Sequence, residues 1–113
     1  MSKRRVHRAH VEINVGNVYA DLGYADADEM LIKAQLVAKI AEIIKRKGIT
    51  QTQAAALLEM PQPKLSNLLS GRFRGLSERR LMDCLTKLGR DVQIVVKAAP
   101  RSRGNGRLSI VFA

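Results

Sequence analysis

The amino-acid sequence reads as a mainly α-helical domain, with about four to five helices and a C-terminal β-strand or hairpin. Three features lead there. Apolar residues recur every three or four positions from Glu29 to Lys47, short apolar stretches are closed by Gly48, Gly71 and Gly89, and β-branched runs occupy the last part of the chain. At 113 residues the chain has material for one modest core and too little for two. The expected organisation is a basic arm over 1–25, a helical domain with its strand over 26–97, and a basic linker with a terminal strand over 98–113.

Residues 1 to 10 carry Lys3, Arg4, Arg5 and Arg8 with no acidic residue and no apolar period, the pattern of a solvated arm. From Val11 to Gly23 β-branched residues mix with Gly and Asn, which suits a strand, a loop, or a segment that orders on a partner. Asp21, Asp26, Asp28 and Glu29 then gather where negative charge suits a helix start, with Asp26 or Asp28 as the cap. The first helix follows, its apolar face formed by Met30, Leu31, Ala34, Val37, Ala38, Ile40, Ala41, Ile43 and Ile44, with Lys33, Lys39, Glu42 and Lys45 interspersed. Lys45, Arg46 and Lys47 oppose the negative end of its dipole, and Gly48 supplies the left-handed stop.

Thr50 is placed to cap a short second helix that runs to about Leu58, and residues 61–70 form a third that stops at Gly71. A fourth spans Ser77 to Leu88, with Leu81, Met82, Cys84, Leu85 and Leu88 toward the core and Gly89 as its stop. Beyond it the runs Val92 to Val96 and Leu108 to Phe112 are β-rich. The segment between them, Pro100 to Gly106, suits a hairpin loop or a flexible basic linker. One strand pair is marginal alone, so this tail needs the helices or a second chain.

Twenty Lys and Arg against ten Asp and Glu give a formal charge of +10, which favours a polyanionic partner. The single cysteine, Cys84, excludes an internal disulfide or a cysteine-based metal site and reads as a buried structural thiol in a reducing cytoplasm. His7 and His10 lack accompanying ligands and read as solvated. With no apolar run of membrane-spanning length and no signal-peptide core, the protein is expected to be cytoplasmic, neither secreted nor inserted. Without a phosphate loop, a nucleophile triad or paired catalytic carboxylates, an enzyme is not expected, and no cofactor or metal is.

The informative stretch is Ile49 to Gly71, ITQTQAAALLEMPQPKLSNLLSG. Ala55 is small where two short helices cross, Leu58 and Met60 flank the turn, and Ile49, Leu58, Leu65 and Leu68 are spaced to bury together and fix the interhelical angle. Gln62, Lys64, Ser66 and Asn67 are polar and alternate with the buried leucines.

This stretch resembles the helix-turn-helix of the Cro/cI (XRE) family of bacterial and phage repressors, whose fold is the lambda-repressor-like bundle. Two residues depart from that pattern. Glu59 stands where the turn commonly has Gly, which disfavours a left-handed residue, and Pro61 stands where a capping Ser or Thr is common. The resemblance implies phosphate contacts from Thr50 and Gln51, and groove-facing roles for Gln62, Lys64, Ser66 and Asn67, with Gln or Asn suited to adenine and Lys to guanine or phosphate. Arg72 and Arg74, in the loop GRFRG, are placed to clamp neighbouring phosphates.

A wider likeness spans about residues 15–97. The runs NVYADLGYADADEMLIKAQL and QPKLSNLLSGRFRGLSERRLMDCLTKLGRDVQIVV are similar to the HigA-type antitoxins of bacterial toxin-antitoxin pairs. That likeness implies a homodimeric repressor of double-stranded operator DNA with a RelE/HigB-like ribonuclease toxin as partner. The segment up to about Tyr24, with β-branched and aromatic residues outside the helical core that could order on binding, is the candidate toxin contact. A phage-type or metabolic repressor without a toxin is the alternative.

Overall fold

A computed structural model describes residues 27–113 and the backbone of Val11–Glu12. The expectations for the basic arm, for His7 and His10, for most of the segment up to Tyr24, and for Asp26 as a cap lie outside the described residues. The described residues fall into two compact units, one within residues 17–92 and one built from residues 1–16 and 93–113.

The first unit holds four described helices: α1 (Ala27–Lys47), α2 (Gln51–Leu58), α3 (Gln62–Leu69) and α4 (Glu78–Lys87). The starts of α2, α3 and α4 are chemically marked. The Thr50 hydroxyl accepts from Gln53 N–H at 3.1 Å while the Gln53 side chain accepts from Thr50 N–H at 2.9 Å, a reciprocal capping box that satisfies two orphan donors. Ser77 accepts from Arg80 N–H at 3.0 Å to open α4. Pro61 makes no side-chain cap, and its fixed φ of −61° leads directly into α3.

The helix ends share one device. After α2, α3 and α4 the pairs Glu59/Met60, Gly71/Arg72 and Gly89/Arg90 donate backbone N–H groups back to the last turn, the Schellman arrangement, with the first residue of each pair at positive φ. Glycine is the ordinary occupant of that left-handed position. Glu59 takes it at φ 56° and ψ 46°, so the turn has the backbone that the sequence reading had disfavoured for a non-glycine. Two hydrogen bonds of 3.2 and 3.1 Å, and burial of Met60 beside Ala55, hold it there.

Hydrophobic burial assembles the unit. α1 packs on α4 and α3, and α2 packs on α3 and α4, around Ile40, Ile43, Leu58, Leu65, Leu68 and Leu81, each of which loses nearly all contact with water. A side chain of this size contributes about 1.5–3 kcal/mol when fully buried. Ile49 and Met82, expected in the core, are partly exposed, and Ala38 of α1 faces solvent, while Ile32 and Leu36 join the core instead. Desolvation pushes the thiol of buried Cys84 above its ordinary range, which keeps it protonated.

In the second unit β1 (Val11–Glu12) pairs antiparallel with β2 (Val111–Phe112), in the register Val11 to Phe112 and Glu12 to Val111. The C-terminal β-rich run therefore pairs with the N-terminal segment, and the run Val92 to Val96 belongs to no ladder among the described residues. A turn at 101–105 is closed by Arg103 N–H donating to Pro100 C=O at 3.1 Å. No helix among the described residues is long and apolar enough to cross a membrane.

Candidate nucleic-acid interface

The α2–α3 pair forms a rigid corner. Ala55 is buried at the crossing, Leu58 closes α2, and Leu65 and Leu68 anchor the inner face of α3 with no exposed surface on either leucine. Because α3 is fastened by those two residues, its other positions turn outward: Gln62, Lys64 and Asn67 are exposed and Ser66 is half-buried. Thr50 and Gln51, at the N-terminus of α2, are exposed as well, and the Gln62 side-chain amide donates to the Gln51 side-chain carbonyl at 3.0 Å. This bond ties the start of one helix to the start of the other. It brings the expected phosphate-contacting Gln51 beside the expected base-contacting Gln62.

Arg72 and Arg74 follow α3 in an exposed loop. Arg72 is the second residue of the α3 stop motif, and its Nε and Nη2 both donate to Asn67 Oδ1, at 3.2 and 3.1 Å. With two N–H groups on one carbonyl oxygen, Asn67 keeps only its NH2 for a base edge. A bidentate adenine contact, which needs both ends of the amide, requires Arg72 to let go. The sequence reading assigned these two residues separate tasks; in the structure they form one unit.

The loop itself is pinned from beneath. Phe73 is buried, Leu76 N–H donates to Phe73 C=O at 3.0 Å, and Lys33 Nζ reaches across from α1 to Arg74 C=O at 2.9 Å. Lys33 is 4% exposed and also pairs with Glu29 at 3.1 Å, so it is a core residue and not one of the solvated charges interspersed along α1. Its position was discernible: Met30, Lys33, Val37, Ile40 and Ile44 follow the three-four spacing of a single helix stripe, so Lys33 lies on the apolar row. Phe73 had a weaker signal, being an aromatic residue between two arginines.

Lys64, Arg72 and Arg74 give this surface its cationic groups, and the free N-terminal amides of α2 add partial positive charge. The only carboxylate in the α2–α3 turn, Glu59, is paired with Lys87 of α4 at 3.3 Å. Among the described residues there is no cluster of three His, Cys, Asp or Glu side chains able to hold a metal ion. The arrangement offers anion-binding groups around a helix edge that carries amide and ammonium donors, which is the chemistry of duplex recognition.

Comparison with known proteins agrees with this geometry. A family model described as a helix-turn-helix domain matches residues 18–97. A solved structure described as an XRE-family transcriptional regulator is similar at a TM-score of 0.74 and 41% identity, covering 78% of this chain and 99% of that one. Comparison with curated proteins finds no significant match. The chain belongs to the helix-turn-helix proteins of the XRE family of transcriptional regulators.

Proposed function

We propose that the protein is a sequence-specific repressor that binds a palindromic operator as a homodimer, in the cytoplasm and without enzymatic activity. The observation that carries this reading is the two-sidedness of α3, with Leu65 and Leu68 fully buried while Gln62, Lys64 and Asn67 are exposed. Thr50, Gln51, Arg72 and Arg74 hold the phosphates on either side, and Gln62, Lys64, Ser66 and Asn67 face the bases. Two copies of α3 enter successive major grooves about 34 Å apart. The test is a binding titration on duplexes in which single base pairs are changed. Lys64→Ala shifts the preferred sequence, and Arg74→Ala weakens all duplexes alike; equal weakening by both contradicts the assignment of roles.

The residue runs shared with HigA-type antitoxins support a narrower function, neutralisation of a RelE/HigB-like toxin together with repression of the shared operon. Co-expression of the chain with the product of the adjacent reading frame tests it. Rescue of growth supports the antitoxin role. A neighbour that is harmless by itself supports a lone phage-type or metabolic repressor.

A further inference from the structure

Residues 91–97, Asp-Val-Gln-Ile-Val-Val-Lys, belong to no helix or ladder among the described residues and are exposed along their whole length. Ile94, Val95 and Val96 show 79, 77 and 92% of their surfaces to water. A β-branched apolar run with unpaired backbone groups invites strand pairing with another chain. We propose that this segment pairs with the same segment of a second copy, antiparallel and centred on Ile94, and that this strand pair joins the dimer. The proposal rests on the dimeric repressor reading and adds to it the surface and the register.

The register follows from symmetry and charge. A two-fold axis relating antiparallel strands runs perpendicular to the sheet, so each residue stays on the same face in both chains, and facing residues must be an even number apart in sequence. Among the registers this allows, centring on Gln93 sets Asp91 against Val95, and centring on Val95 sets Gln93 against Lys97. Centring on Ile94 sets Asp91 against Lys97 of the other copy, twice. The same register stacks Val92, Ile94 and Val96 of both strands on one face and leaves Asp91, Gln93, Val95 and Lys97 on the other. Opposite charges at the ends and β-branched pairs at the centre are the combinations that stabilise antiparallel strands. Neither Asp91 nor Lys97 has an ion pair among the described residues, so both are available.

The test uses the full chain. Cys84 is buried and protonated, so a cysteine introduced on the segment is the reactive one. Under mild oxidation Ile94→Cys is expected to cross-link fully into a dimer, while Gln93→Cys, whose like residue lies diagonally across, cross-links far less. By sedimentation, Asp91→Lys and Lys97→Asp each weaken the dimer roughly tenfold, and the double exchange restores it. Binding to a duplex with one half-site is read alongside and is unchanged in the charge variants. A monomeric wild-type protein overturns the proposal. So does a dimer in which Ile94→Cys fails to cross-link and the charge exchange has no effect, since another surface then joins the copies. Loss of half-site binding by the wild-type protein is a distinct result: it sinks the DNA-binding reading whatever the cross-linking shows.

Discussion

Glu59 illustrates how a single residue can work against the turn it occupies. It holds a left-handed conformation that costs an L-residue roughly 1–2 kcal/mol relative to glycine, and it sets a negative charge at the C-terminal end of α2. Its ion pair with Lys87 is largely exposed and offsets little of this. Glu59→Gly is therefore expected to stabilise the protein by about 1 kcal/mol, seen as a higher midpoint in thermal unfolding. A lowered midpoint would show that the carboxylate matters more than the backbone. Asn67 and Arg72 pose the complementary case. Because they are bonded to each other, the effects of Asn67→Ala and Arg72→Ala on operator affinity should fail to add, with a coupling energy of about 0.5–3 kcal/mol in a double-mutant cycle. Strict additivity would restore their independence. The sequence offered each side chain separately as a candidate for DNA contact but not the bond between them, because that bond depends on the stop motif that folds Arg72 back over α3.

The helices were largely legible because their punctuation is local. Thr50, Ser77, Gly48, Gly71 and Gly89 each act through a hydrogen bond or a φ value within four residues, so spacing alone located them. The contacts that position the interface are not local. Lys33 is 41 residues from the carbonyl it holds, and only the packing of α1 beneath the loop brings them together. Lys33→Met keeps the buried methylenes and removes the charge. Glu29, half-exposed, is solvated without its partner, so unfolding stability should stay within about 1 kcal/mol of wild type while operator affinity falls several-fold. A large loss of stability, or operator affinity equal to that of wild type, would contradict the view that the Lys33 charge acts chiefly by holding the loop. At the crossing of α2 and α3, Ala55→Leu forces the helices apart and should cost about 1–3 kcal/mol. The β-rich runs were legible as strands but not in their pairing, because β-branched residues mark a strand without naming its neighbour. The run ending at Phe112 pairs with Val11–Glu12, at the far end of the chain.

For the whole molecule, the +10 charge favours any duplex, and in the proposed function α3 with its loop supplies the choice among duplexes. If, as proposed, two loop arginines per protomer contact phosphates in a dimer, four cationic contacts result, and the logarithm of affinity should fall against the logarithm of salt with a slope at least as steep as about −3.5. Arg72→Ala should flatten that slope by about 2. The central claim is that an edge of α3 reads base sequence, and it is tested most directly by measuring affinity for the protein's own promoter and for random duplex at moderate ionic strength. A preference of about a thousandfold or more for the promoter is the predicted result. Equal affinity for the two duplexes would contradict it, leaving only the general attraction of a basic protein for a polyanion.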